Sequence, residues 1–550
     1  MRKPYQIYLP MLLVCLIPGV ARAQSFRVQC PTATITHPTA TNNNSEPAYT
    51  APTFTSGQTY VTSSAGHVNG AIKCQQISGG DGYAAMGDGT QTYLFSFGPL
   101  SGLADIANGN PNGAYGAGAG TQFPSVFNTV YSGATPLQPG DPATTGLSAF
   151  HYNGAVGLMP DLDANNGSGT AGARIDGHVD PRPIEDVGVM NGNIPAPLMA
   201  IDEDDEFFLT LTNVGMIMRP DLFEQHTVHF HGYPNASSFY DGVPDASVAI
   251  NIGGSFTYYY LAPDAGTYFW HCHITPPEHL QMGMVGQIYV RPRQNRVPNT
   301  TTLYAALQQQ EADPRTACRR PSDGVSPTVT TSPDILCSNP LPPVNTLVTG
   351  GAKYAYNDGD GSTAYDVEYP IQIHGFDPNF HFVGMTFNPE HFVDMKDKYF
   401  LLNGRSYPDT VTPGPLQTQS ADGVNHFSQP LATIINIPAG GRALLRISDL
   451  DVTEFQTLAS LGIPMQVIAI NAKLLRDQAG NNLYYNTNSI TLGGGESLDV
   501  ILDACAVRAS PSSCTTPMAT GTYYLYTPNL DHLSNDAENF GGLMTEVHVN

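Results

Sequence analysis

Gly266-Thr267-Tyr268-Phe269-Trp270-His271-Cys272-His273 reads as a β-strand that ends in a thiol between two imidazoles. Side chains alternate faces along a strand, so His271 and His273 share one face and Cys272 takes the other. A second run, His226-Thr227-Val228-His229-Phe230-His231-Gly232, has the same logic. His229 and His231 share a face, and His226, three residues earlier, takes the opposite one. Two chemically distinct donor sets follow. One holds His226 and Cys272, completed by His279 and Met284 from the loop after the second strand. The other holds His229, His231, His271 and His273. Two imidazoles, a thiolate and a weak thioether are the ligand set of type 1 (blue) copper, and further imidazoles suit further copper. A cysteine with two histidines is also a zinc set, so zinc is the competing metal.

Around this core, short apolar runs alternate with Gly, Pro, Asp and Asn. Phe207–Thr212, Ser255–Leu261 and Val285–Val290 read as strands, and residues 370–550 repeat the rhythm. Gly521-Thr522-Tyr523-Tyr524-Leu525-Tyr526 echoes Gly266–His271. The expected class is all-β, two sandwich domains with little helix. The expected divisions are 1–23 (signal peptide), 24–185 (Thr/Pro-rich, then Gly-rich), 186–294 (metal domain), 295–345 (Pro-rich linker) and 346–550 (second sandwich). The second stretch carries Gly113-Ala114-Tyr115-Gly116-Ala117-Gly118-Ala119-Gly120 and has no assigned fold.

The stretch 187–292 resembles the copper domain of multicopper oxidases. His226-x-x-His229-x-His231-Gly232 is similar to the family's first copper motif, and His271-Cys272-His273 to its second. Asn191-Gly192-Asn193-Ile194-Pro195 and Asp241-Gly242-Val243-Pro244 resemble further signatures. The resemblance implies Greek-key cupredoxin sandwiches, with type 1 copper on His226, Cys272, His279 and Met284. It implies type 2/type 3 copper on His229, His231, His271 and His273, with electrons running from Cys272 through His271 and His273 to dioxygen. Two departures stand out. The spacing from Cys272 to His279 is two residues longer than usual, through Pro276-Pro277, whereas the His279–Met284 interval is kept and favours Met284 over Met282. A trinuclear cluster takes eight histidines, and this chain supplies two His-x-His pairs. An oligomer or a partner chain is the expected source of the rest. Asn403-Gly404-Arg405-Ser406-Tyr407-Pro408 resembles a copper-free domain of the family, and His374, His381, His391 and His532, isolated in sequence, read as non-ligands. A copper nitrite reductase and a non-enzymatic blue-copper carrier remain alternatives. The substrate implied is a small reductant, a metal ion or a phenol.

Charge and cysteine usage fit an exported protein. Arg2 and Lys3, the apolar run from Leu9 to Val20 and Ala21-Arg22-Ala23 form a signal-peptide pattern, too short for a membrane span. The destination is periplasmic, extracellular or cell-surface. The formal charge of −24 argues against a nucleic-acid partner and favours cations. Of eight cysteines, Cys15 lies in the signal, and Cys30–Cys74, Cys318–Cys337 and Cys505–Cys514 are the expected disulfides. Cys272 is left as the single thiol. Asn357-Asp358-Gly359-Asp360-Gly361 reads as a turn rather than a calcium loop, and Asp202-Glu203-Asp204-Asp205-Glu206 as a solvated loop.

Overall fold

The structure is a computed structural model, describing residues 72–99, 192–303 and 352–550 apart from short breaks. The expected signal, the Gly-rich run, most of the linker and the pairings of Cys30 with Cys74 and Cys318 with Cys337 rest on residues outside that set. Cys505–Cys514 is formed, and Cys272 is a free, buried thiol.

The first sandwich packs two four-stranded sheets. One runs β2 (Gln91–Pro99), β1 (Ile72–Ala85), β4 (Glu206–Gly215), β6 (Ser255–Leu261). The other runs β3 (Met199–Asp202), β8 (Val285–Arg291), β7 (Gly266–His271), β5 (His229–His231). Alternation drives the closure. Phe207, Leu209 and Leu211 of β4 point into one core with Phe95, Phe97, Tyr258, Phe230, Trp270 and Ile288. The opposite face of β4 is also covered, with Phe208 against Tyr259 and the Thr210 hydroxyl 2.8 Å from that of Thr257. β1 lies parallel to β4, so residues 72–99 belong to this sandwich, well ahead of residue 186.

The second sandwich repeats the plan. One sheet runs β10 (Tyr399–Leu402), β9 (Val367–Phe376), β12 (Arg442–Asp449), β16 (Ser497–Asp503), β14 (Met465–Ile470). The other runs β11 (Ile435–Ile437), β18 (Met544–Val549), β17 (Gly521–Tyr526), β13 (Gln456–Leu461), β15 (Ser489–Leu492). The parallel pairs recur: β1 with β4 and β3 with β8, then β9 with β12 and β11 with β18. The echo between Gly266–His271 and Gly521–Tyr526 is structural, since Gly266 pairs with Val290 on β8 as Gly521 pairs with Val549 on β18. Helix among the described residues is confined to short segments, including α1 (Pro276–Gln281) and α2 (Pro378–Met385).

Polar groups buried between the sandwiches fix their relative placement. Gln287 of β8 donates to the Arg446 carbonyl at 2.8 Å and to the Ser448 hydroxyl at 2.9 Å. Glu368 sits between Arg291 and Arg446, all three buried. The acidic run expected to be solvated is buried too: Asp202, Glu203, Asp205 and Glu206 are nearly inaccessible. Glu203 explains why. It accepts from the amides of Ala265 and Arg293 and from Asn357, and pairs with the Arg293 guanidinium at 3.6 Å. Asp358 is used internally, accepting from Gln294, Gly361 and Thr363, as a turn carboxylate does.

Candidate metal centre

Two pairs of backbone hydrogen bonds hold the first donor set. His226 makes a two-way bridge with Ile250 (3.1 and 2.9 Å). The Cys272 amide donates to the Met284 carbonyl at 3.0 Å, and the Met284 amide to the His279 carbonyl at 2.8 Å. The two extra residues after Cys272 are taken up by α1. Thr275 turns the chain in the left-handed region, Pro276 and Pro277 start the helix, and His279 points inward. His226, Cys272, His279, Met282 and Met284 are all fully buried. The donor atoms of His226, Cys272 and His279 lie within 4.8 Å of one another. His279 Nδ1 is 3.3 Å from Cys272 Sγ, and the Thr227 amide reaches that sulfur at 3.4 Å.

Burial sets the charge state of these groups without metal. It pushes His226 down to about 3 and the Cys272 thiol up to about 11, and with His226 beside it holds His279 well below the usual imidazole range. The rings are therefore neutral, with lone pairs to offer. Neither nitrogen of His226 nor Nε2 of His279 has a hydrogen-bond partner. Buried polar atoms without partners are costly, and a metal ion satisfies them. A soft sulfur and two imidazoles packed against Phe95 and Phe97 fit copper.

Gly79, on β1, belongs to this site although nothing in its local sequence marks it. A Cβ there would stand 2.7 Å from His226 Cδ2. Gly79→Ala is therefore expected to tilt the ring, cost about 1–3 kcal/mol of stability and weaken copper binding. Copper titration of the variant checks this; unchanged affinity would contradict it.

The second donor set lies one peptide bond away, on the other face. β5 and β7 pair with His229 opposite His271, which gathers the rings. Donor atoms of His229, His231 and His271 lie within 4.8 Å of one another. The His273 ring is 5.2 Å from that of His229 and stacked 5.6 Å from that of His271, although β7 ends at His271. His229 Nδ1 is engaged at 2.6 Å by the Asp241 carbonyl and His271 Nδ1 at 2.7 Å by that of Cys272, which turns each Nε2 towards the cluster, with His271 Nε2 3.4 Å from His231 Nδ1. Gly242 permits the first contact, because its φ is +78° and a Cβ would strike the Val228 carbonyl at 1.9 Å. Burial lowers His271 to about 3; burial and then the charges of His229 and His273 lower His231.

Part of the chain matches known proteins. The multicopper oxidase family model matches residues 175–295. Among curated relatives, the laccase abr2 of Aspergillus fumigatus is 31% identical over 128 residues, 23% of this chain and 20% of that protein. The multicopper oxidase MmcO of Mycobacterium tuberculosis is 31% identical over 131 residues, 22% and 24% of the two chains. The copper-containing nitrite reductase of Rhizobium meliloti is 35% identical over 109 residues, 19% and 26%. The chain thus spans about a fifth of the length of the first curated relatives it matches. The blue copper oxidase of Nitrosomonas europaea aligns over 87% of this chain and 86% of its own, at 15% identity and a TM-score of 0.44. Copper is the metal of the matched family, and both donor sets lie inside the matched stretch.

Among the described residues, the second sandwich contributes no metal-type cluster. Leu525 is core, and His532 is held between Gln456 (2.9 Å) and Glu454 (3.3 Å). A cavity of about 470 Å³ opens beside His231 and His271, walled on the far side by residues 450–455 and 493–495. The histidine cluster therefore faces carboxylates Asp451 and Glu454 rather than further imidazoles.

Proposed function

We propose that the chain is an exported copper oxidoreductase that takes electrons singly from a small reductant, a metal ion or a phenol, and delivers them to dioxygen at the histidine cluster. The observation that supports it is the covalent junction His271-Cys272-His273, which joins two donor clusters on opposite faces of one strand end through single peptide bonds. Copper supplies the one-electron redox chemistry at both clusters. The protein supplies the path, the dryness and the geometry. Cys272, His226, His279 and Met284 are closed to solvent, so a reductant does not touch their donor atoms. His279 Nε2 lies 3.9 Å from the partly exposed Glu224 carboxylate, the polar link from the site towards solvent. Export rests on the pattern at residues 1–23.

Four imidazoles make half of the eight that the family's cluster takes, and His231 is exposed. A second copy of the chain meeting this face would bring the other four. The nitrite reductase alternative uses fewer imidazoles, and the fourth ring, His273, packed against His229 and His271, favours the oxidase.

Copper per chain, measured with optical and spin-resonance spectra and with oxygen uptake across protein concentrations, tests the reading. More than two ions per chain with oxygen uptake that falls on dilution supports it. One ion and no uptake makes the chain a carrier, and two ions with nitrite turnover makes it a reductase. Met284→Leu is expected to keep copper bound and raise its potential, because the weak axial donor is lost. If Met282→Leu shifts the potential instead, the axial assignment passes to Met282.

A further inference from the structure

His374 on β9 and His381 on α2 lie outside both donor clusters and are completely buried. His374 Nδ1 contacts the carbonyl of Gly375, and its Nε2 lies 3.0 Å from that of Leu280. His381 Nδ1 lies 2.7 Å from the carbonyl of Tyr93, and its Nε2 3.0 Å from that of Gln281. Each ring therefore meets carbonyl oxygen at both nitrogens. A carbonyl oxygen only accepts, and a neutral imidazole carries one N–H. A neutral ring would set lone pair against lone pair at one of its two contacts. The doubly protonated ring satisfies both.

We propose that His374 and His381 are held as imidazolium cations that clamp the C-terminal carbonyls of α1 and so position His279 within the copper site. Leu280 and Gln281 form the last turn of α1, where a positive charge is favoured, and the Leu280 carbonyl also accepts from the Gly283 amide at 2.9 Å. The Gln281 side chain is held as well, donating to Asp397 Oδ1 at 2.7 Å. Three groups of the second sandwich thus grip the two residues that follow His279. His381 also ties in the Tyr93 carbonyl of edge strand β2, so the N-terminal hairpin shares the clamp.

The surroundings act on the charge in both directions. Burial opposes a cation at His374, while Asp451 and both carbonyls favour it. Burial, joined by repulsion from His374, lowers His381 to about 3 even with the Tyr93 and Gln281 carbonyls pulling the other way, so the charge assignment rests on the two-carbonyl geometry. The Phe376 ring stacks on His381 at 3.8 Å. Asp377, at the start of α2, accepts from the amides of Asn379, Phe380 and Lys396 as a carboxylate does. Burial and then the charge of Asp451 raise Asp397 and Asp449 well above the ordinary carboxylate range, and Asp451 is the carboxylate whose charge favours a cation at His374.

Only the consequence for the copper site rests on His279 being a ligand. Nitrogen NMR on the metal-free, full-length protein with labelled histidine reads the charge directly. Two ring signals, assigned by their loss in His374→Gln and His381→Gln, are expected to show both nitrogens protonated at pH 8, where a free imidazole is neutral. A singly protonated pattern for either ring overturns the charge assignment. In the copper-loaded variants, the spin-resonance pattern and reduction potential of the type 1 site are expected to shift while copper at Cys272 is retained. Glutamine donates from one nitrogen only and cannot span both carbonyls. Unchanged spectra and potential in both variants overturn the positioning role. A wild-type chain that binds no copper overturns the proposed function instead, and leaves the NMR result standing.

Discussion

Cys272→Ser is expected to remove the visible charge-transfer band of the copper-loaded protein completely. The band needs a thiolate donor, and the hydroxyl of serine is neither as soft nor ionised at neutral pH. The fold is expected to survive. Cys272 is free, its amide bond to the Met284 carbonyl does not involve sulfur, and the Thr227 amide that faces Sγ can face a hydroxyl oxygen instead. The cost of burying the hydroxyl is about 1–3 kcal/mol, small beside the total loss of the spectral signal. The histidine cluster keeps its four rings in this variant, so copper should fall without vanishing. Optical spectra and metal analysis of the purified variant check both points. A residual blue band would mean that Cys272 is not the ligand.

Glu368→Gln is expected to have the largest effect on stability. The carboxylate lies between the Arg291 and Arg446 guanidiniums, which donate to it at the seam of the two sandwiches. Glutamine keeps the shape and removes the charge between two buried cations, with Asp499 3.6 Å from Arg446 as a weaker counterweight. Removing one partner from a buried ionic cluster costs about 3–5 kcal/mol. Burial alone would raise the pKa of Glu368, but Arg291 and Arg446 outweigh it and hold the group below its ordinary value. The sign follows from that depression. The contribution of Glu368 is present above the carboxylate's unfolded pKa and is lost as pH falls through its lower folded value. Wild type should lose this increment in acid, whereas the variant, already without it, should show a flatter acid limb. Denaturant melts of both proteins across pH 3–7 test this; equal stability at neutral pH would remove Glu368 from the seam's energetics.

The chemistry of the metal centre was legible because it is local. Period-two alternation separates Cys272 from His271 and His273 whatever the rest of the fold does, and His229 with His231 follows the same rule. The echo of Gly266–His271 in Gly521–Tyr526 announced the second sandwich for a similar reason: equivalent strands need equivalent patterns. Burial of the acidic run was not legible, since its partners, Arg293 and Asn357, lie about 90 and 150 residues away. A charge run looks solvated until its distant cations are placed.

The sequence by itself determined the donor types, their division into two clusters and the all-β class, because side-chain chemistry and strand periodicity act over a few residues. Tertiary structure alone decided three further things. It brought the 72–99 hairpin into the copper sandwich, with Gly79 against His226. It turned the two-residue insertion at Pro276-Pro277 into a helix that delivers His279. It also set His374 and His381, isolated in sequence, against the Leu280 and Gln281 carbonyls at the end of that helix. The physical reason is common to all three. Each depends on which backbone carbonyls and ring edges meet across the chain, a property of packing between segments that no single segment encodes.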